Sequence, residues 1–139
     1  MRRCSFVWFD CCSPSPNISV IVAAEVAYRA LPEYDLRGTD VAFVSQSRWD
    51  GTDDDDNLKG SPELVIEVLS PSNTRAEIQE KAVLCLSTGC EEFWVVDTRR
   101  NTVAVTRRNS EAALYRSGDR TPLALFGGAE LEVSRIFQS

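Results

Sequence analysis

The chain has 139 residues, of which 43% are hydrophobic and 26% charged, with a formal net charge of -6. These values predict one globular domain, and they exclude collagen-like, disordered and strongly basic nucleic-acid-coating proteins. No apolar run approaches the ~20 residues that cross a bilayer, so no membrane association is expected. The sequence contains no histidine. This excludes Ser-His-Asp and Cys-His nucleophile systems and zinc sites that use imidazole.

The first segment, residues 1–17, is predicted to be an irregular leader because Pro14 and Pro16 interrupt it. Asp10 breaks its short apolar stretch, so it does not resemble a signal peptide. The remaining residues, 18–139, are predicted to form a single domain. The five cysteines have no C-x-x-C spacing, which favours reduced thiols in a cytoplasmic protein over a zinc site.

Two strands are predicted at residues 18–28 and 41–44, where β-branched and apolar residues predominate. Four consecutive aspartates follow at residues 53–56. They lack the alternating ligands and the closing glutamate of an EF-hand, so a solvated loop is favoured over a calcium site.

The centre of the chain has the pattern of a strand, a helix and a second strand. The apolar run at residues 64–69 predicts a buried strand, and residues 93–96 predict another. Between them, Thr74 and Glu77 have the spacing of a capping box, which predicts a helix over residues 74–88 that stops at Gly89. This order indicates a βαβ unit whose two strands lie parallel in one sheet.

Residues 102–106 predict a strand that forms a hairpin with the preceding one. Weaker strands are expected near residues 113–115 and 123–126, and a last helical turn near Ile136 and Phe137. The predicted fold class is therefore α/β of the mixed-sheet (α+β) kind, with one βαβ crossover helix and flanking hairpins.

Three residues are candidates for chemistry, although each also has an ordinary structural interpretation. Glu67 lies between apolar neighbours in a strand, where a carboxylate needs a partner, and a structural salt bridge would satisfy it. Asp40 precedes a strand and could be a turn residue. Lys81 lies beside the sheet-facing side of the predicted helix and could simply pair with Glu77.

Considered together, these residues predict a metal site. Two carboxylates on neighbouring strands can hold one hard divalent cation, Mg²⁺ or Mn²⁺, through their oxygens. The cation would lower the pKa of a bound water and offset charge on a phosphoryl oxygen, while the lysine orients that water.

Four segments of the sequence resemble the Uma-two family of bacterial proteins in the restriction-endonuclease-like PD-(D/E)XK superfamily. They are LRGTDVAFVS (36–45), SPELVIEVLSPS (61–72), EK (80–81) and GCEEFWVVD (89–97). The resemblance covers residues 25–137 and implies a mixed sheet flanked by helices. It implies that Asp40 and Glu67 bind the metal, with the Val68 carbonyl as a further ligand. The family's lysine would be Lys81, placed on the helix instead of at the strand position that Leu69 occupies.

The sequence departs from the family pattern at its beginning. Family members usually begin with a helix and a strand that bears a glutamate, and residues 1–17 do not resemble these elements. Glu25 is the candidate to substitute for that glutamate as an additional acid.

The leading interpretation is a Mg²⁺- or Mn²⁺-dependent endonuclease that hydrolyses DNA. Six arginines lie between Arg99 and Arg120, and Arg99, Arg100, Arg107 and Arg108 are candidates for contacts with backbone phosphates. A solvated hairpin face is the ordinary interpretation of these arginines and is slightly favoured over phosphate contacts. Two other functions stay open: a catalytically silent interaction module with this fold, or a metal-dependent phosphodiesterase for a small substrate, which suits the acidic composition. A homodimer is the general expectation at this size.

Overall fold

The computed structural model describes residues 20–30, 36–52, 58–108, 110–123 and 129–137, with side chains from residue 27 onward except that of Leu36. The predicted leader, the loop at residues 53–56 and the first three cysteines lie outside this part of the chain. The strands are β1 (Val20–Arg29), β2 (Leu36–Ser45), β3 (Leu58–Lys59), β4 (Leu64–Val68), β5 (Glu92–Asp97), β6 (Thr102–Arg107), β7 (Ala113–Arg116), β8 (Arg120–Leu123) and β9 (Ala129–Glu132). The helices are α1 (Gln46–Asp50), α2 (Arg75–Ser87) and a 3₁₀ helix at Val133–Phe137.

Seven strands form one mixed sheet in the order β3-β1-β2-β4-β5-β6-β7. The central strands β4 and β5 are parallel and are joined by α2, while β2 is antiparallel to β4 and β6 is antiparallel to β5. Strands β8 and β9 form a separate antiparallel pair. The predicted fold class, a mixed sheet with one βαβ crossover, is confirmed.

Helix α2 begins and ends where its capping residues place it. The Thr74 hydroxyl accepts a hydrogen bond from the Glu77 amide, and the Glu77 carboxylate accepts one from the Thr74 amide. These bonds satisfy two backbone donors that would otherwise lack partners. At the other end Gly89 has a φ of 119°, a conformation that glycine adopts without steric cost. The predicted capping box and glycine stop are both present.

Other boundaries differ from the predicted ones. Strand β2 extends to residues 36–45, beyond the predicted 41–44, because its early residues pair with β1, including Gly38 with Ala27. Strand β8 begins at Arg120, three residues before the predicted start at Leu123, and residues 124–126 of the predicted strand lie outside the described residues. Helix α1 and strand β3 were not predicted, since both are too short to show a hydrophobic period.

The sheet buries a different cluster on each face. Val65 and Phe93 point toward α2 and pack with its Ala82 and Cys85. The opposite face packs against β8, β9 and the 3₁₀ helix, which contributes Val133, and its own buried residues are Leu64, Trp94, Val96, Val103 and Val105. Because side chains alternate along a strand, Glu67 lies on the same face as Val65, under α2.

A half-buried ion pair joins the first residue of β5 to the last residue of β6. Glu92 and Arg107 are cross-strand neighbours, and the Arg107 Nε lies 2.7 Å from the Glu92 Oε1. The Glu92 side chain is 3% exposed and that of Arg107 is 38% exposed. Glu92 therefore depends on Arg107 for compensation of its charge.

We expect Arg107→Met to lower the free energy of unfolding by about 2–3 kcal/mol, because the variant leaves the Glu92 carboxylate buried without its cation. The loss is smaller than for a fully buried pair, since water reaches the arginine. Urea denaturation measures the effect, and Arg108→Met is the matched control, with an expected loss below about 1 kcal/mol. Equal losses in the two variants would contradict the prediction.

Candidate metal centre and active site

Glu67 and Lys81 form an ion pair between β4 and α2. The Lys81 Nζ lies 2.6 Å from the Glu67 Oε1, and it also donates a hydrogen bond to the Gly38 carbonyl of β2. The residue Glu67 is 7% exposed, and the side chain of Lys81 is 19% exposed. The ammonium thus joins the crossover helix to two neighbouring strands.

Asp40 reaches the same place from β2. The register pairs Val41 with Ile66, so the next residues along the two strands, Asp40 and Glu67, lie opposite each other. The Asp40 Oδ2 accepts a hydrogen bond of 2.7 Å from the Val68 amide. The structure therefore brings together the three residues that the sequence singled out, and both acids lie at the edge of the sheet where β4 ends.

The electrostatics of this group are dominated by burial. Loss of solvent raises the pKa of Glu67 above its ordinary value, the Lys81 ammonium opposes the increase, and the adjacent Asp40 carboxyl adds to it. The Lys81 ammonium lies 2.6 Å from the Glu67 Oε1 and contacts this buried carboxylate directly. Two neighbouring carboxylates beside one ammonium leave an excess of negative charge, which suits the binding of a further cation.

The donors at the centre are oxygens only. Asp40 and Glu67 supply carboxylates, and among the described residues no group of three or more Asp, Glu, Cys or His side chains could hold a metal. Two acids fit a hard cation that takes its other ligands from backbone carbonyls and water, as Mg²⁺ commonly does.

Glu25 lies in β1, next to the strand that carries Asp40. Its neighbours Ala24 and Val26 pair with Val41 and Thr39, so its register position is opposite Asp40. Its side chain lies outside those that the structure describes. The backbone thus puts the candidate additional acid one strand away from the two that meet.

A buried polar pair beside this centre, Tyr28 and Cys85, was not predicted from the sequence. The Tyr28 hydroxyl lies 3.0 Å from the Cys85 Sγ, one turn of α2 after Lys81. Burial raises the pKa of both groups, and the charge of Glu67 raises both further. The spacing of Cys85 from Lys81 was a possible signal, but nothing in the sequence indicated Tyr28. Cys85 and Cys90 are free thiols.

The four candidate arginines divide between two ends of the sheet. Arg99 and Arg100 lie in the turn between β5 and β6, whereas Arg107 and Arg108 lie at the far end of β6. Arg107 pairs with Glu92, and Arg108 donates a hydrogen bond to the Cys90 carbonyl. The structure therefore does not bring these four residues together.

The seven-stranded mixed sheet and its crossover helix make this an α+β protein whose fold matches that of a nuclease-like neighbour. The family model Uma2, described as "Putative restriction endonuclease", matches residues 7–134. The chain belongs to the Uma2 family, as the resemblance in its sequence predicted.

A solved structure supports the same fold. The chain is similar to a protein from Anabaena variabilis ATCC 29413 described as "a putative nuclease belonging to DUF820", with a TM-score of 0.72 and 19% sequence identity. The similarity covers 88% of this chain and 70% of the other. Comparison with curated proteins gave no match. None of the helices in the described ranges is long and apolar enough to cross a membrane.

Proposed function

We propose that this protein is a metal-dependent endonuclease that hydrolyses phosphodiester bonds of DNA. The observation that carries the proposal is the contact of Lys81 with Glu67 beside Asp40 at one edge of the sheet. An acid pair with an adjacent ammonium suits the displacement of an alkoxide from phosphorus by water. The Uma2 family is described as "Putative restriction endonuclease" and the Anabaena protein as "a putative nuclease", and both descriptions favour the same chemistry.

In this proposal, Asp40, Glu67 and the Val68 carbonyl hold Mg²⁺ or Mn²⁺, with Glu25 as an additional acid. The Asp40 Oδ2 accepts one hydrogen bond from the Val68 amide, which leaves the other lone pairs of this carboxylate as acceptors for a cation. When bound, the cation would lower the pKa of a water that it holds and would offset negative charge on the phosphoryl oxygens.

Lys81 is suited to act on the water. An ammonium has three N–H donors, and Glu67 and the Gly38 carbonyl engage two of them. The third remains to orient the attacking water or to bind a phosphoryl oxygen as its negative charge grows. We assign Lys81 this role.

The test is the nicking of supercoiled plasmid DNA by the purified protein with Mg²⁺, with Mn²⁺ or with EDTA. We expect nicking with either cation and none with EDTA, since oxygen ligands bind both ions. Calorimetric titration with Mn²⁺ gives a readout that is independent of turnover. A folded protein that neither binds Mn²⁺ nor nicks DNA would contradict the proposal and favour a silent interaction module.

A phosphodiesterase for a small substrate is the second candidate, and the net charge of -6 favours it because an acidic surface repels a polyanion. A chromogenic phosphodiester distinguishes the two functions. Cleavage of this compound without cleavage of DNA would support the second candidate.

A further inference from the structure

Three arginines lie on the same edge of the sheet as the acid pair. Strands β4 and β5 are parallel and in register, with Val68 opposite Val96, so both end at this edge. The turn after β5 carries Arg99 and Arg100. Strand β7 ends there too, because its Arg116 pairs with Thr102, the first residue of β6. We call Arg99, Arg100 and Arg116 the basic edge.

The backbone that carries the basic edge is held by hydrogen bonds. The Asp97 Oδ1 accepts the amides of Arg99 and Arg100 at 3.0 and 3.2 Å. The Asn101 carbonyl accepts the Ser117 amide, which ties the end of β7 to this turn. The Asp119 carboxylate accepts the Arg116 amide at 2.8 Å. Asp97 and Asp119 therefore accept hydrogen bonds from backbone amides, and these bonds fix the backbone positions of the three arginines.

The side chains of the basic edge differ from the neighbouring arginines in how their charge is used. Arg99 and Arg116 are exposed and form no ion pair among the described residues, and Arg100 has only a contact of 3.9 Å with Asp97. By contrast, Arg120 lies 3.0 Å from Glu132 and 3.8 Å from Glu130. Arg107 pairs with Glu92, and Arg108 donates a hydrogen bond to the Cys90 carbonyl. Arg99 and Arg116 therefore present guanidinium groups that no close carboxylate of the described residues engages, at the end of the sheet where Asp40 and Glu67 lie.

We infer that the basic edge binds the phosphates of duplex DNA and aligns one strand across the acid pair, an inference that rests on the proposed function. Adjacent strands lie about 4.8 Å apart, so β4 and β7 are separated by about 14 Å. This span exceeds the ~3.4 Å that one strand of duplex DNA advances along the axis per phosphate, so it is long enough to reach more than one phosphate of the same strand. Exposed guanidinium groups suit such contacts because they bind phosphate in a planar, bidentate way.

The test measures the binding of a short fluorescein-labelled DNA duplex by anisotropy, in EDTA so that no cleavage occurs. The variant is Arg99→Gln/Arg100→Gln/Arg116→Gln, compared with wild type between about 50 and 200 mM salt. We expect affinity to fall at least about tenfold at the lower salt. The slope of log affinity against log salt should decrease by about 2 to 3, because each lost phosphate contact contributes about 0.9.

The matched control is Arg108→Gln/Arg120→Gln, which removes arginines that are already engaged, and it should bind within about twofold of wild type. Equal weakening by both variants, an unchanged triple variant, or a wild type that does not bind the duplex would overturn the inference. The outcome is separable from that of the proposed function. DNA binding that depends on the basic edge, without metal-dependent nicking, would support the inference and contradict the nuclease function. Metal-dependent nicking that the triple variant leaves unchanged would support the nuclease function and contradict the inference.

Discussion

Glu67→Gln is expected to reduce metal-dependent nicking of plasmid DNA by about 10²–10³-fold, because the variant removes a charged ligand from the centre. Glutamine keeps the shape of the side chain and an oxygen that can accept from Lys81, so the fold should persist. Nicking assays at several Mg²⁺ concentrations measure the loss, and calorimetry should show weaker Mn²⁺ binding. The variant therefore separates the charge of Glu67 from its packing.

Two companion variants make this result specific. Asp40→Asn retains an oxygen for the Val68 amide and should lose activity to a similar degree. Glu91→Gln changes an exposed acid near the start of β5 and should leave nicking unchanged. If Glu67→Gln kept more than about a tenth of the wild-type activity, the acid would not be a metal ligand in the reaction.

Lys81→Met is the second variant with a large expected effect. Nicking should fall at least about 10²-fold, because the third N–H of the ammonium is lost from the reacting water or phosphoryl oxygen. The free energy of unfolding should fall by about 2–3 kcal/mol near pH 8, since Glu67 then lies buried without its cation. Urea denaturation in EDTA measures this loss.

The pH dependence of that stability follows from the pKa of Glu67. Burial raises the pKa of Glu67 above its ordinary value of 4.5, and Lys81→Met removes the ammonium that opposes the increase. The folded variant then binds a proton more readily than the unfolded chain does, so its stability decreases as pH rises from 4.5 through the folded-state pKa. We expect the deficit relative to wild type to be smaller near about pH 5.5 than near about pH 8.

Arg75→Met is the control for Lys81→Met, because it removes a positive charge from the same helix at an exposed position. It should alter neither nicking nor the pH dependence of stability by a measurable amount. A deficit in Lys81→Met that is the same at both pH values would contradict a buried, unpaired Glu67.

Much of this arrangement was predictable because local rules determine it. The capping box and Gly89 predict the ends of α2, and the apolar run around Glu67 identifies a central strand. Lys81 lies at the border of the helix face that packs on the sheet, and an interior carboxylate needs a cation, so both residues were predicted to lie at one site. Their direct contact is a finding of the structure, since the sequence offered Glu77 as the ordinary partner of Lys81.

The rest depends on register, which local patterns do not contain. The sequence grouped Arg107 and Arg108 with Arg99 and Arg100, yet a strand of six residues separates the pairs and puts them at opposite ends of the sheet. The position of Arg116 beside Thr102, and of Glu25 opposite Asp40, likewise follows from strand pairing between distant segments. The Tyr28–Cys85 contact joins residues 57 positions apart.

Asp40, Glu67 and Lys81 lie in the stretch from β2 to α2, and the candidate additional acid Glu25 lies before them in β1, whereas the basic edge comes from the following stretch, β5 to β7. On the proposals above, cleavage and affinity are therefore encoded by successive, non-overlapping pieces of the polypeptide. Substitutions of the exposed arginines can therefore change the affinity for a substrate without changing the residues that carry out the hydrolysis. Homologues that share one hydrolytic machinery can in this way differ in their affinity for DNA through the stretch from β5 to β7.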